Sequence, residues 1–142
     1  MRKFAFLALL AALSGCASVP KGPDEARQPK DKSCKLLQRG EASWYGNEMA
    51  KYWKNGKPVF NPTASGETFY PEKISAAHPA LPFGTVVKVV LDKPDADPEG
   101  INVRINDRGP YAKGRIIDLS RGAARALGMA DTQNVRVYQC GA

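Results

Sequence analysis

The stretch INVRINDRGPYAKGRIIDLSRGAARALG, residues 101–128, decides the fold because two strand patterns and a helix pattern follow one another in it. Runs rich in β-branched residues predict strands over Ile101–Asn106 and Arg115–Ile117, with Gly and Pro between them. Ser120 is a suitable N-cap, and Gly128 ends the helix that follows. Apolar residues recur between them at helical spacing: Ala123, Ala124 and Leu127.

Further short strand patterns lie on both sides of this stretch, separated by Gly, Pro and Asn. They cover Glu41–Tyr45, Lys73–Ala77, Thr85–Leu91 and Asn134–Gln139. Many short strands with turn residues between them, together with one helix, predict a mainly β protein with the architecture of a small barrel.

The first sixteen residues have the pattern of an export signal. Arg2 and Lys3 form a basic start, and Phe4–Leu13 is apolar but far shorter than the roughly 20 residues of a membrane-spanning helix. Leu-Ser-Gly directly before Cys16 resembles the lipobox of bacterial lipoproteins, in which the cysteine is acylated and becomes the new N-terminus. We therefore expect residues 1–15 to be removed and Cys16 to be lipidated; the alternative is an ordinary secretory signal with a chance cysteine.

Residues 16–39 are rich in Pro, Lys and Asp and contain almost no apolar side chains. Such a segment cannot bury enough surface to order itself, so it is predicted to be a disordered tether. The folded domain is then expected over residues 40–142.

The cysteine count agrees with export. The chain has three cysteines, and an odd thiol in an oxidising compartment is expected to be paired or modified. If Cys16 is lipidated, Cys34 and Cys140 are left to form one disulfide across the ends of the domain. The alternative is a pair of unlinked, buried thiols.

Charge and metal-ligand content narrow the functional classes. The formal charge is +7, and loss of Arg2 and Lys3 with the signal lowers it to +5. An exported, anchored protein meets envelope polymers and anionic lipid, so nucleic acid is not an expected partner. A single histidine with no neighbouring cysteine pair gives no zinc pattern, so we predict no metal and no cofactor.

Several short motifs occur in an order that resembles the rare lipoprotein A family, septal-ring-associated lytic transglycosylases. The likeness runs from about Gly40 to Tyr138. The motifs are Ala42–Gly46, Thr63–Glu67, Ala76–His78, Leu81–Thr85, Val103–Pro110 and Gly114–Ser120.

The resemblance implies a six-stranded double-psi β-barrel and an enzyme that cuts peptidoglycan glycan strands. A lytic transglycosylase breaks the bond between N-acetylmuramic acid and N-acetylglucosamine without water and leaves a 1,6-anhydro end. The implied location is the cell envelope, on the periplasmic face of the outer membrane, with acyl chains in the bilayer. Two other classes remain open: an expansin-like wall binder that does not cut, and a noncatalytic envelope scaffold.

The chemistry requires one carboxylic acid that protonates the leaving oxygen and then accepts a proton from the attacking hydroxyl. Asp107 ends an apolar strand and is the predicted acid/base, with Glu67 as its partner. Asp118 lies two residues before the helix N-cap, where amide dipoles favour a charged, stabilising carboxylate.

Residue by residue, the active-site Glu, His and Asp of the resembled family correspond to Glu67, His78 and Asp107. Expansins and membrane-bound lytic transglycosylase A instead place a key aspartate at the position of Asp118, so this residue remains the alternative proton carrier. The motif Asp107–Pro110 could also be only a tight turn with a local ion pair.

Four further residues are candidates for substrate binding. Trp44 and Tyr45 alternate on a strand, so one is expected to stack on a sugar and the other to fill the barrel. Arg108 is assigned to the same group. His78 is a candidate hydrogen-bonding anchor for a sugar or a catalytic carboxylate, or else a core residue whose hydrogen bonds are satisfied within the protein.

Two features depart from the resembled family. The segment from Asn47 to Pro62 is longer and more basic than expected, and its Tyr52 and Trp53 are either an extension of a glycan groove or a surface-packed pair. No peptidoglycan-binding repeat is recognised after the last predicted strand, so septal recruitment through such a repeat is not expected.

Overall fold

The computed structural model describes residues 29–31 and 33–141, and these residues form eight strands and one α-helix. The predicted signal over 1–15, the lipidation site Cys16 and the tether up to residue 28 lie outside the described residues. In chain order the elements are β1 (Lys35–Tyr45), β2 (Ala50–Lys54), β3 (Lys57–Phe60), β4 (Ser75–Ala77), β5 (Val86–Leu91), β6 (Ile101–Asp107), β7 (Arg115–Ser120), α1 (Arg121–Leu127) and β8 (Gln133–Gln139). A 3₁₀ turn covers Asn47–Met49.

Six of the strands close into a barrel in the order β1-β7-β4-β6-β5-β8. The pairs β1/β7 and β4/β6 are parallel, and the other neighbours are antiparallel. Parallel neighbours that are distant in sequence require crossover connections. The predicted class, a mainly β, six-stranded double-psi barrel with one short helix, is confirmed.

Alternation along the strands fills the barrel. Val103 and Ile105 of β6 point inward, as do Ile117 and Leu119 of β7, and all four are fully buried. Arg104 and Asp118, which lie between these apolar residues, point to the outer face. These inward positions are therefore apolar, although some polar side chains are also buried, among them Arg136 of β8 at 2% exposure.

Ser120 joins β7 to α1. Its hydroxyl accepts a hydrogen bond from the Ala123 N–H (3.2 Å), which satisfies one of the free donors of the first helical turn. The same hydroxyl donates to the Lys73 carbonyl (2.5 Å) and accepts from the Ser75 N–H (3.2 Å). The predicted N-cap thus also holds the segment that enters β4.

Gly122 allows a close approach of the chain to the first turn of α1. A Cβ at this position would lie 2.2 Å from the Glu72 carbonyl oxygen. The Gly122 N–H donates to the Pro71 carbonyl at 2.7 Å. Any larger side chain would push residues 71–73 away from the helix.

The barrel begins earlier than the predicted boundary at residue 40. β1 starts at Lys35, and the residues assigned to the end of the tether pair with β8, from Lys35 opposite Gln139 to Arg39 opposite Arg136. The expectation that the tether extends to residue 39 is therefore wrong for residues 35–39. Backbone pairing with an existing strand orders this polar segment, and composition alone does not reveal such pairing.

The long, basic segment from Asn47 to Pro62 contains a hairpin. β2 and β3 pair antiparallel around a two-residue turn in which Asn55 and Gly56 both have positive φ, at 50° and 71°. This conformation is that of a type I′ turn, for which Asn-Gly is a strong sequence signal. No helix in the described part of the chain is both long and apolar enough to cross a membrane.

Cys34 and Cys140 are joined by a disulfide, the pairing expected from the sequence. The bond lies just before β1 and just after β8, so it closes the open end of the β1/β8 pair. The two cysteines are 106 residues apart in sequence, and the linked loop therefore contains nearly the whole barrel.

Loss of the disulfide should cost about 4–5 kcal/mol of unfolding free energy, because the cross-link restricts a loop of about 100 residues in the unfolded chain. Cys34→Ser, Cys140→Ser and the double variant should lose the same amount, since each removes the same bond. Urea unfolding checks this, with reduced wild-type protein as the matched control. A double variant as stable as the oxidised wild type, or two free thiols in the native protein, would contradict the pairing.

Candidate active site

Barrel topology brings Asp107 and Asp118 to the two sides of one short strand. Ala77, the last residue of β4, pairs with Asp107 of β6 and with Asp118 of β7. Ser43 of β1 pairs with Asp118 on the side of β7 that faces away from Ala77. Adjacent strands are about 4.8 Å apart, so the two aspartate backbones are about 10 Å apart.

Asp107 is half-buried, and its two carboxylate oxygens have different surroundings. Oδ1 accepts hydrogen bonds from the N–H groups of Ala64 and Arg108, each at 2.9 Å. Oδ2 has no hydrogen-bond donor among the described residues. One oxygen therefore fixes the orientation of the carboxyl group, and the other remains available for proton transfer.

The carboxylate of Asp118 is held by an ion pair and a hydrogen bond. Its Oδ1 accepts a hydrogen bond from Arg115 Nη2 at 2.5 Å and another from the Ser43 hydroxyl. The side chain is 18% exposed. The sequence suggested that helix amide dipoles would act on this carboxylate, but its contacts are with a guanidinium and a hydroxyl on the barrel strands.

Tyr45 lies within the field of both aspartates. Burial raises the pKa of its phenol, and the negative charges of Asp107 and Asp118 raise it further. The ring stacks on Phe69 at a centroid distance of 4.7 Å, and the hydroxyl is buried without a hydrogen-bond partner in the described residues. Tyr45 therefore places a buried, neutral phenol within electrostatic range of both carboxylates.

Glu67 contacts the end of β6 that carries Asp107, but its hydrogen-bond partners differ from those of Asp107. Its carboxylate accepts hydrogen bonds from Arg104 at 2.7 and 2.5 Å and from Asn106 Nδ2 at 3.3 Å. Arg104 first, and then Asn106, lower the pKa of Glu67 to about 2. Glu67 is therefore a permanent anion near neutral pH and not a proton donor.

The turn over residues 63–67 links Glu67 to Asp107. The Ala64 N–H donates to the Asp107 carboxylate, while the Ser65 N–H donates to the Asn106 carbonyl at 3.2 Å. The Glu67 carbonyl accepts hydrogen bonds from the Thr63 N–H (2.8 Å) and the Thr63 hydroxyl (3.2 Å), which close the turn. Glu67 also lines an open groove of about 530 Å³ together with Thr68, Tyr70, Lys73, Ile74, Ser75, Arg104 and Asn106.

His78 is engaged within the protein rather than presented to a ligand. Only 3% of it is exposed. Its Nδ1 accepts from the N–H groups of Ala80 and Leu81 at 3.1 and 3.0 Å, and Nε2 lies 2.8 Å from Gln38 Oε1. Burial lowers its pKa, and the charge of Arg108 lowers it further. The ring is a neutral Nε2–H tautomer, the core alternative considered from the sequence, and direct sugar contact is not supported.

Arg108 braces the loop that follows His78. Its Nη1 donates to the carbonyls of His78 (3.2 Å) and Leu81 (2.9 Å), and the guanidinium lies 3.8 Å from the centre of the Phe83 ring. The Arg108 guanidinium therefore contacts this loop instead of forming the local ion pair with Asp107 that the tight-turn alternative implied. Arg108 therefore supports the loop that follows His78, and its assignment to substrate binding stays a prediction.

Trp44 is separated from the aspartates. It pairs with Leu119, and alternation on β1 turns it to the face opposite Tyr45. Its indole N–H lies 3.4 Å from the Ala130 carbonyl, in a shallow cavity beside α1. Tyr45 stacks on Phe69 near the carboxylates, whereas Trp44 is 37% exposed beside the helix, and sugar stacking by either stays a prediction.

Four polar residues that hold the carboxylates were not identified from the sequence: Ser43 and Arg115 at Asp118, and Arg104 and Asn106 at Glu67. Arg104 and Arg115 lie within or at the start of apolar strand patterns, and neither was singled out there. The sequence signal for these partners was a basic residue within each of the motifs Val103–Pro110 and Gly114–Ser120. Arg115 meets Asp118 three residues along the same strand, whereas Arg104 meets Glu67 only when distant segments fold together.

The potential metal ligands that cluster in the described residues are Asp31 and the disulfide-bonded Cys34 and Cys140. Metal binding by cysteine requires a thiolate, which a disulfide does not provide. This cluster lies at the disulfide and is not part of the carboxylate site.

Replacing Arg104 by Gln should raise the pKa of Glu67 from about 2 towards its ordinary value of 4.5, because the guanidinium is the main group that favours the anion. Carboxyl-carbon NMR titration measures this change. Glu72, whose contacts are Arg121 and Arg125, is the internal control and should keep its own titration. An unchanged Glu67 titration in Arg104→Gln would contradict the assignment of the ion pair.

Comparison with known proteins agrees with this fold. The lytic transglycolase family profile matches residues 37–138. The probable endolytic peptidoglycan transglycosylase RlpA of Nostoc sp. is 47% identical over 97 residues, which cover 68% of this chain and 24% of that protein. The endolytic peptidoglycan transglycosylase RlpA of Yersinia pestis is 42% identical over 100 residues, covering 70% and 24%.

The corresponding RlpA of Escherichia coli is 39% identical over 110 residues, covering 78% of this chain and 29% of that protein. Among solved structures, the Streptomyces papain inhibitor aligns with a TM-score of 0.45 and 19% identity over 73% of this chain and 94% of that one. The chain spans about a quarter of the length of the curated relatives that it matches. With its barrel matched almost from end to end, this chain belongs to the lytic transglycolase family and is an RlpA-family protein.

Proposed function

We propose that this chain is a lytic transglycosylase that cleaves peptidoglycan glycan strands between N-acetylmuramic acid and N-acetylglucosamine, with 1,6-anhydro ends as products. The observation that carries the proposal is the carboxyl group of Asp107, anchored through one oxygen and free at the other. Peptidoglycan transglycosylase activity in the names of the relatives supports the substrate and the reaction.

The reaction needs a single acid/base. The protonated Asp107 carboxyl gives its proton to the glycosidic oxygen as the bond from that oxygen to the anomeric carbon breaks. The hydroxyl on C6 of the muramic acid residue then bonds to the anomeric carbon and returns its proton to Asp107. No water is consumed, and the carboxyl group ends in the state in which it began.

Asp118 and Tyr45 complete this centre. An ion-paired carboxylate is suited to stabilising the positive charge that develops at the anomeric carbon, so Asp118 takes this role. The buried Tyr45 hydroxyl, which has no hydrogen-bond partner among the described residues, adds a neutral hydrogen-bond donor within electrostatic range of both carboxylates.

Glu67 is assigned to substrate binding and to positioning. Its permanent charge excludes proton donation, while its place in the groove lets it and Arg104 together contact sugar hydroxyl and amide groups. It also holds the turn whose Ala64 N–H anchors Asp107. Loss of the Glu67 carboxylate should therefore disturb this turn and with it the position of the Asp107 carboxyl group.

The proposed location is the cell envelope, with the chain attached through Cys16 to the periplasmic face of the outer membrane. The support is the lipobox-like Leu-Ser-Gly-Cys sequence and the peptidoglycan substrate named for the relatives. The disulfide between Cys34 and Cys140 agrees with an oxidising compartment.

Asp107→Asn should reduce formation of anhydro ends by about 10²–10⁴-fold, the usual contribution of an acid/base group. Its thermal transition should stay close to that of the wild type, because Asn Oδ1 can still accept from the Ala64 and Arg108 N–H groups. Glu67→Gln should also lose most of its activity. Mass analysis of products from purified glycan strands measures both.

Asp118→Asn is the contrasting variant. It leaves Arg115 without its anion and should lose about 1–2 kcal/mol of stability as well as activity. An Asp107→Asn protein that still makes anhydro ends, beside a folded but inactive Asp118→Asn, would assign the proton transfer to Asp118. Hydrated ends would indicate a hydrolase, and intact strands a noncatalytic binder.

Cys16→Ser should abolish fatty-acid labelling and release the protein from the membrane fraction, because the acylated thiol is lost. Metabolic labelling followed by membrane fractionation tests this in cells that express the full chain. The variant Cys34→Ser, which keeps Cys16, is the matched control. Undiminished labelling of Cys16→Ser would end the lipoprotein proposal.

A further inference from the structure

Tyr111 is an exposed aromatic residue that the proposed reaction does not use. Its side chain is 83% exposed, more than any other large apolar side chain that the structure describes. No aromatic ring or cation in the described part of the chain stacks on it. The faces of this ring are therefore open to a ligand.

The backbone that carries Tyr111 is anchored. Gly109 and Pro110, which precede it, are buried, and Gly109 has a φ of 111°, a conformation that other residues rarely adopt. A Cβ at Gly109 would lie 3.8 Å from Tyr111 Cε2. One edge of the ring thus rests beside buried backbone, two residues after Asp107, so the ring is both exposed and held in place.

Tyr111 lies at the end of the barrel that carries the candidate active site. β4 lies between β6 and β7, so the loop over residues 108–114 crosses beyond the end of β4 to join these two strands. Consecutive Cα atoms are about 3.8 Å apart, so the ring edge beside Gly109 is within roughly 13 Å of the Asp107 Cα atom. The ring therefore stands at the rim of the site.

The groove of about 530 Å³ lies on the other side of Asp107. Arg104 and Ser75, which pair across β6 and β4, line this groove. Asp107 comes three residues after Arg104 at the end of β6, and the loop with Tyr111 begins directly after it. Followed along β6, the order is therefore the groove, then Asp107, then Tyr111.

A pyranose ring has the chemistry that fits an exposed tyrosine ring. The C–H groups of a sugar form apolar faces, and an aromatic ring offers a large apolar area with a negative face on which they can pack. Tyrosine makes such a contact at low entropic cost, because only two side-chain torsions have to be fixed. A glycan strand supplies a pyranose ring on each side of every glycosidic bond.

We propose that Tyr111 is a substrate-binding residue whose ring stacks on the sugar that lies on the side of the cleaved bond away from the groove. This inference rests on the proposed function for the identity of the polymer and for the role of Asp107. A strand that leaves the groove and passes over Asp107 meets Tyr111 next. Contacts on both sides of the bond hold its oxygen at the Asp107 carboxyl group.

The test measures binding separately from cleavage. The Kd of purified glycan strands is measured by titration calorimetry with the Asp107→Asn protein. Adding Tyr111→Ala should raise this Kd about tenfold, which corresponds to about 1.4 kcal/mol. Tyr111→Phe is the matched variant and should keep the Kd within about twofold, because it retains the ring that makes the contact.

Stability and a distant variant are the controls. Tyr111→Ala should leave the midpoint of urea unfolding unchanged, because the side chain is exposed. Leu36→Ala removes another apolar side chain, 45% exposed on β1 near the disulfide, and should leave the Kd unchanged.

A double variant tests on which side of the bond Tyr111 acts. Arg104→Gln weakens the contacts in the groove, and its loss of affinity should multiply with that of Tyr111→Ala, because separate sites that share no partner are additive in free energy. If Tyr111→Ala has no further effect in Arg104→Gln, the two residues hold the same sugar and the proposed placement is wrong.

An unchanged Kd in Tyr111→Ala would overturn the inference, even if the wild type makes anhydro ends. An equal loss of affinity in Tyr111→Phe would overturn stacking and assign the contact to the hydroxyl group. Absence of anhydro products from the wild type, with the Kd values as expected, would reject the proposed reaction and keep the sugar contact.

Discussion

The pairing of β4 with both β6 and β7 is the constraint on which the candidate site depends. β4 contains only three residues, yet its last residue, Ala77, sets the spacing between Asp107 and Asp118. Because the barrel is closed, neither flanking strand can shift without disturbing the whole ring of hydrogen bonds. A site that needs side chains held to a fraction of an ångström is thus placed on the most restrained part of the backbone.

Electrostatic differences among the three carboxylates follow from their immediate neighbours. Glu67 and Asp118 each face a guanidinium, whereas Asp107 is held by backbone N–H groups alone. Two carboxylates paired with guanidinium groups and one without a cationic partner can take distinct chemical roles within one short stretch of surface. Near Tyr45, burial removes water and strengthens the interactions of the aspartates with the phenol.

Much of the fold could be predicted from the sequence, because β-branched runs, turn residues and the Ser120 and Gly128 caps are local signals. The identity of the carboxylates was also accessible, since Glu67, Asp107 and Asp118 lie inside rigid motifs. Their partners were not, because Arg104 meets Glu67 and Ser43 meets Asp118 only through folding of distant segments. Likewise, composition assigned residues 35–39 to the tether although β8 orders them.

His78 and Arg108 show that a polar residue in a motif can have a structural role. Both are candidates for substrate contact, and both hold the loop that follows β4. A polar residue in a functional motif has the same sequence signature whether it binds substrate or supports a neighbour. Only the direction of its hydrogen bonds separates the two roles.

The disulfide between Cys34 and Cys140 also determines how the barrel would bear mechanical load. A pull on the chain ahead of Cys34 would reach β1 at Lys35, the first residue that pairs with β8. Peeling of two antiparallel strands breaks their hydrogen bonds one after another from the end, so it requires little force. Because the covalent bond lies before that first pair, the force passes into both strands together, and peeling cannot start there.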